Sequence, residues 1–345
     1  MELLHAYLRV TQDFDFLNTT LSIGPYPNGT YAQRSVYSLA LDMAEHWRAM
    51  NASGSLADFG DAPNLLECVP SYIHYVAGPN AGNSWMAAAV GRLAGAWAGD
   101  AARARALAAD AAAIGSEVLQ RLYLQGLGYF RAGEADNLTA VQHVMDFVYV
   151  TRFLGLQGGE SGGGVASGVI PPATAAEMVA WLKGNLLVPH WMRALALSDP
   201  AAPLSNRSDH GPSGAYIGWP ALTVKALHAL GDTAGALAFL NDTLLCATLG
   251  PYGQAIEVRP PGDPYKPMDV TLYNELVAHA FGDAIMEVAF GFVLPLVAPG
   301  EAPPASPLVD ASTPRGFEGT LWGVEWAGKR WDVVSGAGGL ELVPA

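Results

Sequence analysis

The residue types best suited to acid–base chemistry gather in one stretch of the sequence, residues 56–86. This stretch holds three carboxylates, one imidazole, three amides, two phenols and one indole. The whole chain is only 14% charged and 51% hydrophobic, so the cluster stands out from an apolar background. Because buried polar groups have to be paired or functional, we look here first for catalysis. The candidates are Asp58, Asp61, Glu67, His74, Asn80 and Trp85.

Polar and aromatic residues recur beside glycine or proline near the predicted starts of later helices. Aromatic rings can bind the C–H faces of sugars, and carboxylates, amides and imidazoles can pair with hydroxyls. If the loops that hold them converge, they form a site for a ligand rich in hydroxyls. These residues are His143, Asp146, His190, Trp191, Arg193, Asp209, His210, Tyr216, Trp219, Tyr252, Gln254 and Glu257.

Each of these residues also has a purely structural interpretation. Asp58 and Asp61 flank Gly60 and could form a turn or cap a helix. His74 and His143 could be core histidines whose hydrogen bonds are satisfied internally. The functional interpretation depends on the coincidence of several clusters in one chain.

Composition restricts the class of partner. The chain has 345 residues, a formal net charge of −14 and a pI near 4.8, and it contains no lysine- or arginine-rich run. Such a chain repels nucleic acids and anionic membrane surfaces. No apolar run approaches the roughly 18 residues of a membrane span, so we expect no membrane insertion.

Six Asn-X-Ser/Thr triplets predict a secreted or lumenal glycoprotein with N-linked glycans. The sequence opens directly into a helical pattern without signal-peptide features, so we expect an upstream segment. Cys68 and Cys246 could form a disulfide or remain free thiols, and the sequence leaves both open. The acceptor asparagines are Asn18, Asn28, Asn51, Asn137, Asn206 and Asn241.

Motifs of other chemistries are missing from the sequence. We find no His-Glu-x-x-His pattern, no Cys/His metal spacing, no calcium loop and no Gly-x-Ser-x-Gly nucleophile elbow. The glycine-rich residues 158–168 follow no strand and do not form a phosphate- or dinucleotide-binding fingerprint. We therefore expect neither a metal nor a cofactor, and paired carboxylates remain the simplest catalytic device.

Helical periodicity dominates the first 294 residues and predicts an all-α fold. A proline-rich linker follows at 295–307, and alternating residues in 321–333 predict a β-hairpin within a small β appendage, 308–345. Short-looped helical hairpins without a fixed repeat favour an α/α toroid over a solenoid. The predicted helices cover residues 5–17, 31–50, 70–98, 101–124, 143–155, 172–187, 214–230, 233–247 and 271–292.

The chain resembles the six-hairpin (α/α)6-barrel glycoside hydrolases, the superfamily of processing α-glucosidases, trehalases and glucosylglycerate hydrolases. Residues 7–17 are similar to that superfamily's Y-L-x-x-T-G-D-x-x-F-L helix end, with Gln12 in place of its glycine. The resemblance covers about residues 4–292. Nine helices are too few for a twelve-helix barrel, so it implies an N-terminally truncated or partial barrel. The other matching segments are Asp58-Phe59-Gly60, Asn64-Leu65-Leu66-Glu67, Asp209-His210-Gly211, Gly214-Ala215-Tyr216, Trp219-Pro220, Gly250-Pro251-Tyr252-Gly253-Gln254 and Phe281-Gly282.

The resemblance implies inverting hydrolysis of an O-glycosidic bond, with Asp58 as general acid and Glu257 as general base. Asp61 is the second choice for the acid. Inversion requires the two carboxyl groups to stand about 6.5–9.5 Å apart with a water between them. The sugar subsites would be formed by Glu67, His74, Asn80, His143, Asp146, Trp191, Asp209, His210, Tyr216, Trp219 and Gln254.

Two other functions are compatible with the same sequence. One is a non-catalytic carbohydrate-binding or scaffold glycoprotein, which would bind sugar without turnover. The other is a polysaccharide lyase that uses His210 and Tyr216. An acidic chain without a basic cleft suits polyanionic uronates poorly, so the lyase ranks third.

Overall fold

The computed structural model describes residues 1–27, 29–50, 54–61, 66, 69–155, 169–205, 210–216, 218–247, 276–293, 308–309, 317–326, 329–336 and 339–345. The helices within this part are α1 (Glu2–Thr11), α2 (Val36–Glu45), α3 (Ala77–Ala96), α4 (Ala101–Glu117), α5 (Val144–Leu154), α6 (Pro172–Asn185), α7 (Gly218–Ala229), α8 (Thr233–Ala247) and α9 (Leu276–Ala284). Short π-helical turns extend α4 and α9 at Val118–Leu122 and Ile285–Ala289. The predicted mainly helical fold is confirmed in this part of the chain.

The strands form small antiparallel sheets. The predicted C-terminal hairpin is confirmed as β10 (Gly319–Trp326) and β11 (Lys329–Gly336), and β12 (Gly339–Pro344) adds a third strand to it. The other strands were not anticipated. They are β1 (Thr20–Ile23), β2 (Ala32–Ser35), β3 (Tyr123–Leu124), β4 (Tyr129–Glu134), β5 (Asn137–Val141), β6 (Leu187–Val188), β7 (Trp191–Met192), β8 (Phe292–Val293) and β9 (Leu308–Val309).

The helices pack in two layers. Helices α3, α5, α7 and α9 contact one another in that order, while α4, α6 and α8 pack against α3, α5 and α7. Helices α3 and α4 approach closely because Gly91 carries no side chain, and a Cβ there would lie 3.2 Å from Leu107 Cβ. One large apolar cluster joins α3 to α9 and includes the buried Val333 of β11, so the C-terminal sheet shares the core of the helices.

Helices α3, α5 and α7 begin at the same end of their layer. Gly78 lies beside Asp146 and Tyr149, whereas Gly82, one turn later, lies beside Phe153. The Trp219 ring, at the start of α7, contacts the ring of Tyr149. Side chains carried by the first turns of these three helices are therefore brought together by the fold.

Helix α1 contacts the layer of α3, α5, α7 and α9 through an ion pair and an aromatic contact. Arg152 Nε of α5 lies 2.5 Å from Glu2 Oε1, and the rings of His5 and Trp85 meet edge to face at 5.5 Å. The helix ends at Gln12, whose φ of 55° is left-handed. Glycine adopts this conformation at least cost, which gives a physical reason for the glycine that the resembling superfamily carries here.

Candidate functional site

Asp58, His74 and Asp61 form a hydrogen-bonded chain at this end of the helices. His74 Nδ1 lies 2.8 Å from Asp58 Oδ1, and His74 Nε2 lies 3.1 Å from Asp61 Oδ1. Glu134 Oε1, at the end of β4, lies 3.8 Å from the same Nε2. Asp58 is 22% exposed and Asp61 is 87% exposed. The two aspartates that the sequence offered as the acid therefore share one histidine, and only Asp58 is sheltered from water.

Asp58 keeps one carboxylate oxygen free of hydrogen bonds within the described residues. Its Oδ1 accepts from the Gly60 N–H at 2.8 Å as well as facing His74. Neither contact involves Oδ2. A carboxyl group fixed through one oxygen can present the other to a substrate, so this geometry is compatible with proton donation by Asp58.

The backbone around His74 is held from two sides. His74 N donates to Gly60 O at 2.9 Å, and Phe59 N donates to His74 O at 3.0 Å. On the other side, Tyr75 N donates to Gly133 O at 3.1 Å. His74 has a φ of 54°, a left-handed conformation that residues other than glycine seldom adopt.

The environment of His74 favours its protonated form. Burial lowers the pKa of His74, but the hydrogen bonds and charges of Asp58 and then Asp61 outweigh it, so the pKa lies above its ordinary value. The raised pKa favours the imidazolium, in which both ring nitrogens donate, Nδ1 to Asp58 Oδ1 and Nε2 to Asp61 Oδ1.

Asn80 anchors the Asp58 segment to the first turn of α3. Its Oδ1 accepts from Ala57 N at 2.8 Å, and its Nδ2 donates to Ala57 O at 3.1 Å and to Val76 O at 2.9 Å. Asn80 is fully buried and these contacts use both ends of its amide. It therefore positions the residue before Asp58, and both hydrogens of its amide are used by the backbone.

Asp146 lies buried between the first turns of α3 and α5. Its Oδ1 accepts from the Tyr72 hydroxyl at 2.5 Å and from the Gly78 N–H at 2.8 Å. Burial raises the pKa of Asp146 to about 6, against the lowering effect of these two hydrogen bonds. Burial also raises the pKa of Tyr72 well above its ordinary value, so Tyr72 keeps its proton and donates it. Asp146 has the raised pKa of a catalytic acid but is only 1% exposed.

His143 caps the N-terminus of α5. Its Nδ1 accepts from Met145 N at 3.0 Å, and its Nε2 donates to His210 O at 3.2 Å. These roles fix the neutral tautomer with the proton on Nε2. Burial, followed by the neighbouring His210, lowers the pKa of His143 to about 3. The structural interpretation of this histidine fits its surroundings.

An aromatic cluster surrounds the start of α7. The Trp219 ring meets His143 at 5.7 Å and His210 at 6.5 Å, both edge to face, and His210 stacks on Tyr216 at 6.1 Å. Trp219 is buried, whereas His210 and Tyr216 are half-buried. Trp191 is also buried and donates from Nε1 to Ala215 O at 3.2 Å. Of this group, His210 and Tyr216 are the partly exposed residues.

Five candidate residues, Glu67, Asp209, Tyr252, Gln254 and Glu257, lie outside the described residues. Sequence reasoning also overlooked two residues of the site. Tyr72, the partner of Asp146, lies within the polar stretch 56–86, and its position two residues before His74 could have drawn attention to it. Glu134 ends a strand that the helical interpretation did not anticipate.

The structure also bears on metals and membranes. Across the described ranges, no three His, Cys, Asp or Glu side chains are grouped so as to hold a metal ion. In the same part of the chain, no helix has the length and apolar character needed to cross a bilayer.

Comparison with known proteins gives a distant structural similarity. No protein-family model matches the chain, and no curated protein matches it. Among solved structures, neutral trehalase from Saccharomyces cerevisiae is similar with a TM-score of 0.42 and 12% sequence identity. The match covers 60% of this chain and 39% of the trehalase chain, so this chain spans well under half the length of that structure.

Proposed function

We propose that this protein is a glycoside hydrolase that cleaves an O-glycosidic bond with inversion, and that Asp58 is its general acid. The observation that carries the proposal is the environment of Asp58. This carboxyl group is mostly sheltered and is fixed through Oδ1 by Gly60 and His74, while its Oδ2 has no hydrogen bond to any residue that the structure describes. A general acid needs this combination of fixed geometry and one available oxygen.

Glu257 is the proposed general base, on the strength of the sequence resemblance. In the inverting mechanism the acid protonates the leaving oxygen while the base removes a proton from the attacking water. The helical layers support an incomplete (α/α) toroid as the scaffold, because α3, α5, α7 and α9 contact one another in order. The half-buried His210 and Tyr216, at the same end of the layer as Asp58, are the proposed sugar contacts.

Asp58→Asn tests the assignment directly. The wild-type chain is screened against α- and β-linked disaccharides and p-nitrophenyl glycosides, and the first-formed anomer is recorded by NMR. We expect inversion, and a loss of about 10²–10⁴-fold in kcat for Asp58→Asn and for Glu257→Gln. The matched control is Asp15→Asn, which changes an exposed aspartate in a 3-10 turn far along the sequence. Retained turnover in both test variants would refute the roles.

The same screen separates the other two functions. A binding or scaffold glycoprotein would bind sugars in calorimetry without releasing product. A lyase would give an unsaturated product that absorbs in the ultraviolet, which hydrolysis never produces. The stacked pair of His210 and Tyr216 is the feature that such a lyase would use.

We also propose that the protein passes through the secretory pathway and carries N-linked glycans. The acceptor side chains of Asn18, Asn137 and Asn241 are exposed, as a bulky glycan requires. The other three acceptors, Asn28, Asn51 and Asn206, lie outside the described residues. Expression in a eukaryotic secretory host, followed by enzymatic deglycosylation and mass spectrometry, tests each acceptor separately.

A further inference from the structure

His74 is enclosed by carboxylates on both edges of its ring. Asp58 and Asp61 take its two nitrogens, and Glu134 stands 3.8 Å from Nε2. Both nitrogens are therefore used by the protein, and neither is left for a sugar hydroxyl. The ring is also mostly sheltered, at 18% exposure. These contacts indicate that His74 acts on its neighbours and not on a ligand.

The backbone of His74 carries strain that a simple turn does not need. A left-handed φ of 54° is unfavourable for a side chain such as histidine, and glycine would adopt it at lower cost. The hydrogen bonds to Phe59 and Gly60 on one side, and those around Gly133 on the other, keep the residue in this conformation. As a result, the imidazole bridges Asp58 and Asp61 across the 58–61 loop.

We propose that His74, oriented by Asp61, is the positioning residue for Asp58. This inference rests on the proposed function. The imidazolium holds Asp58 Oδ1 and provides the positive charge beside which the Asp58 carboxylate forms. Asp58 starts protonated on Oδ2, and this proton passes to the glycosidic oxygen as the C–O bond breaks and its electron pair remains on the departing oxygen. The water that the base deprotonates forms the new bond to the anomeric carbon. No bond to His74 changes in this step.

Asp61 has the supporting role in this arrangement. It is 87% exposed, so its charge is well hydrated and poorly suited to deliver a proton in a sheltered site. Its Oδ1, 3.1 Å from Nε2, fixes the rotation of the ring and stabilises the imidazolium. Glu134 adds a third negative charge on the same side. Every titratable group that the structure places around the ring thus favours the cation.

His74→Asn tests the positioning role while preserving the backbone, because asparagine tolerates the left-handed conformation at this position. The substrates are the methyl glycoside and the glycosyl fluoride of the sugar identified in the screen. Fluoride leaves without a proton, so it bypasses the acid. We expect kcat on the methyl glycoside to fall about 10–100-fold with little change in KM, and kcat on the fluoride to change less than about threefold.

The pH profile gives a second readout. Replacing the imidazolium by a neutral amide removes a charge that favours ionised Asp58, so the alkaline limb on the methyl glycoside should move to higher pH. Asp15→Asn should leave it in place. Equal losses on both substrates with an unmoved limb would mean a structural role only and would overturn the proposal.

NMR titration of the His74 ring separates this inference from the proposed function. We expect both ring nitrogens to be protonated at pH 6.5, and Asp58→Asn and Asp61→Asn each to lower the titration midpoint. A midpoint at or below 6.5 in the wild-type chain would contradict an imidazolium held between Asp58 and Asp61. A chain that hydrolyses nothing in the screen would overturn the proposed function and the positioning role. The titration would still decide whether His74 is an imidazolium between Asp58 and Asp61.

Discussion

The Tyr72 hydroxyl donates a 2.5 Å hydrogen bond to Oδ1 of Asp146, and both side chains are buried. The same oxygen accepts from Gly78 N in the first turn of α3, while Asp146 itself lies in the first turn of α5. One carboxylate oxygen thus joins two helix N-termini, where a negative charge is favoured by the helix dipoles. Its Oδ2 is buried without a partner among the described residues. This contact fixes the end of the helix layer at which the candidate site lies.

Asp146 should make the protein less stable as the pH rises. Its pKa is raised from 3.8 to about 6 in the folded chain, so the stability it contributes is present below pH 4 and is lost as the pH rises through 6. Two pKa units correspond to about 3 kcal/mol. Asp146→Asn keeps an acceptor for Tyr72 and Gly78 but does not titrate. We expect the wild type to lose unfolding free energy relative to Asp146→Asn between pH 4 and pH 7, measured by urea titration.

A constant difference across that range would contradict the raised pKa of Asp146. Asp15→Asn is the control for the general effect of removing one carboxylate, because Asp15 is exposed. Its difference from wild type should stay constant over the same pH range.

His143 should contribute to unfolding in acid. Its pKa is lowered from 6.5 to about 3, so the stability it contributes is present above pH 6.5 and is lost as the pH falls toward 3. His143→Asn retains a good N-cap for α5 and removes the titration. We expect the acid-unfolding midpoint, followed by circular dichroism, to move to lower pH. His46 is exposed, and His46→Asn should leave the midpoint unchanged; an unchanged midpoint in His143→Asn would count against the buried neutral histidine.

Asn80→Ala should destabilise the protein and impair the site together. It leaves the N–H and C=O of the buried Ala57 without their partner, at a cost of about 1–3 kcal/mol for each unsatisfied group. The matched control is Asn83→Ala, three residues along the same helix. Asn83 is also buried, but its Nδ2 has no hydrogen bond within the described residues. Denaturant titration should show a clearly larger loss for Asn80→Ala, and similar losses would contradict the anchoring role.

Gly128 marks a close contact between the β3–β4 turn and α6. A Cβ at Gly128 would lie 2.4 Å from Glu177 O and 2.7 Å from Trp181 Cβ, and its φ is 83°. Gly126 has a similar φ of 79° but faces open space. We expect Gly126→Ala to cost about 1–2 kcal/mol through backbone strain alone. Gly128→Ala should cost at least about 2 kcal/mol more through the clash, measured by thermal unfolding, and equal costs would contradict the close packing.

The sequence by itself determined where some of the helices lie, whereas the helix predicted over 31–50 is wrong for Ala32–Ser35, which form β2. The apolar periodicity that predicts a helix over 143–155 corresponds to α5, Val144–Leu154, and the prediction over 233–247 coincides with α8. This pattern is local, because residues three and four apart share one helix face, so it can be detected without a fold. The strands β4 and β5 were not predicted. Their alternating residues lie on either side of the turn at Asp136, in a sequence dominated by helical periodicity.

Tertiary structure decided which candidate residues contact one another and which are buried. Asp58 and His74 are 16 residues apart, and Tyr72 and Asp146 are 74 apart, so the fold alone makes them partners. The sequence identified Asp58, Asp146, His143 and Asn80 by residue type. Only packing distinguishes the partly exposed Asp58 from the other three residues, which are buried. Burial and hydrogen-bond pairing depend on elements that are distant along the chain.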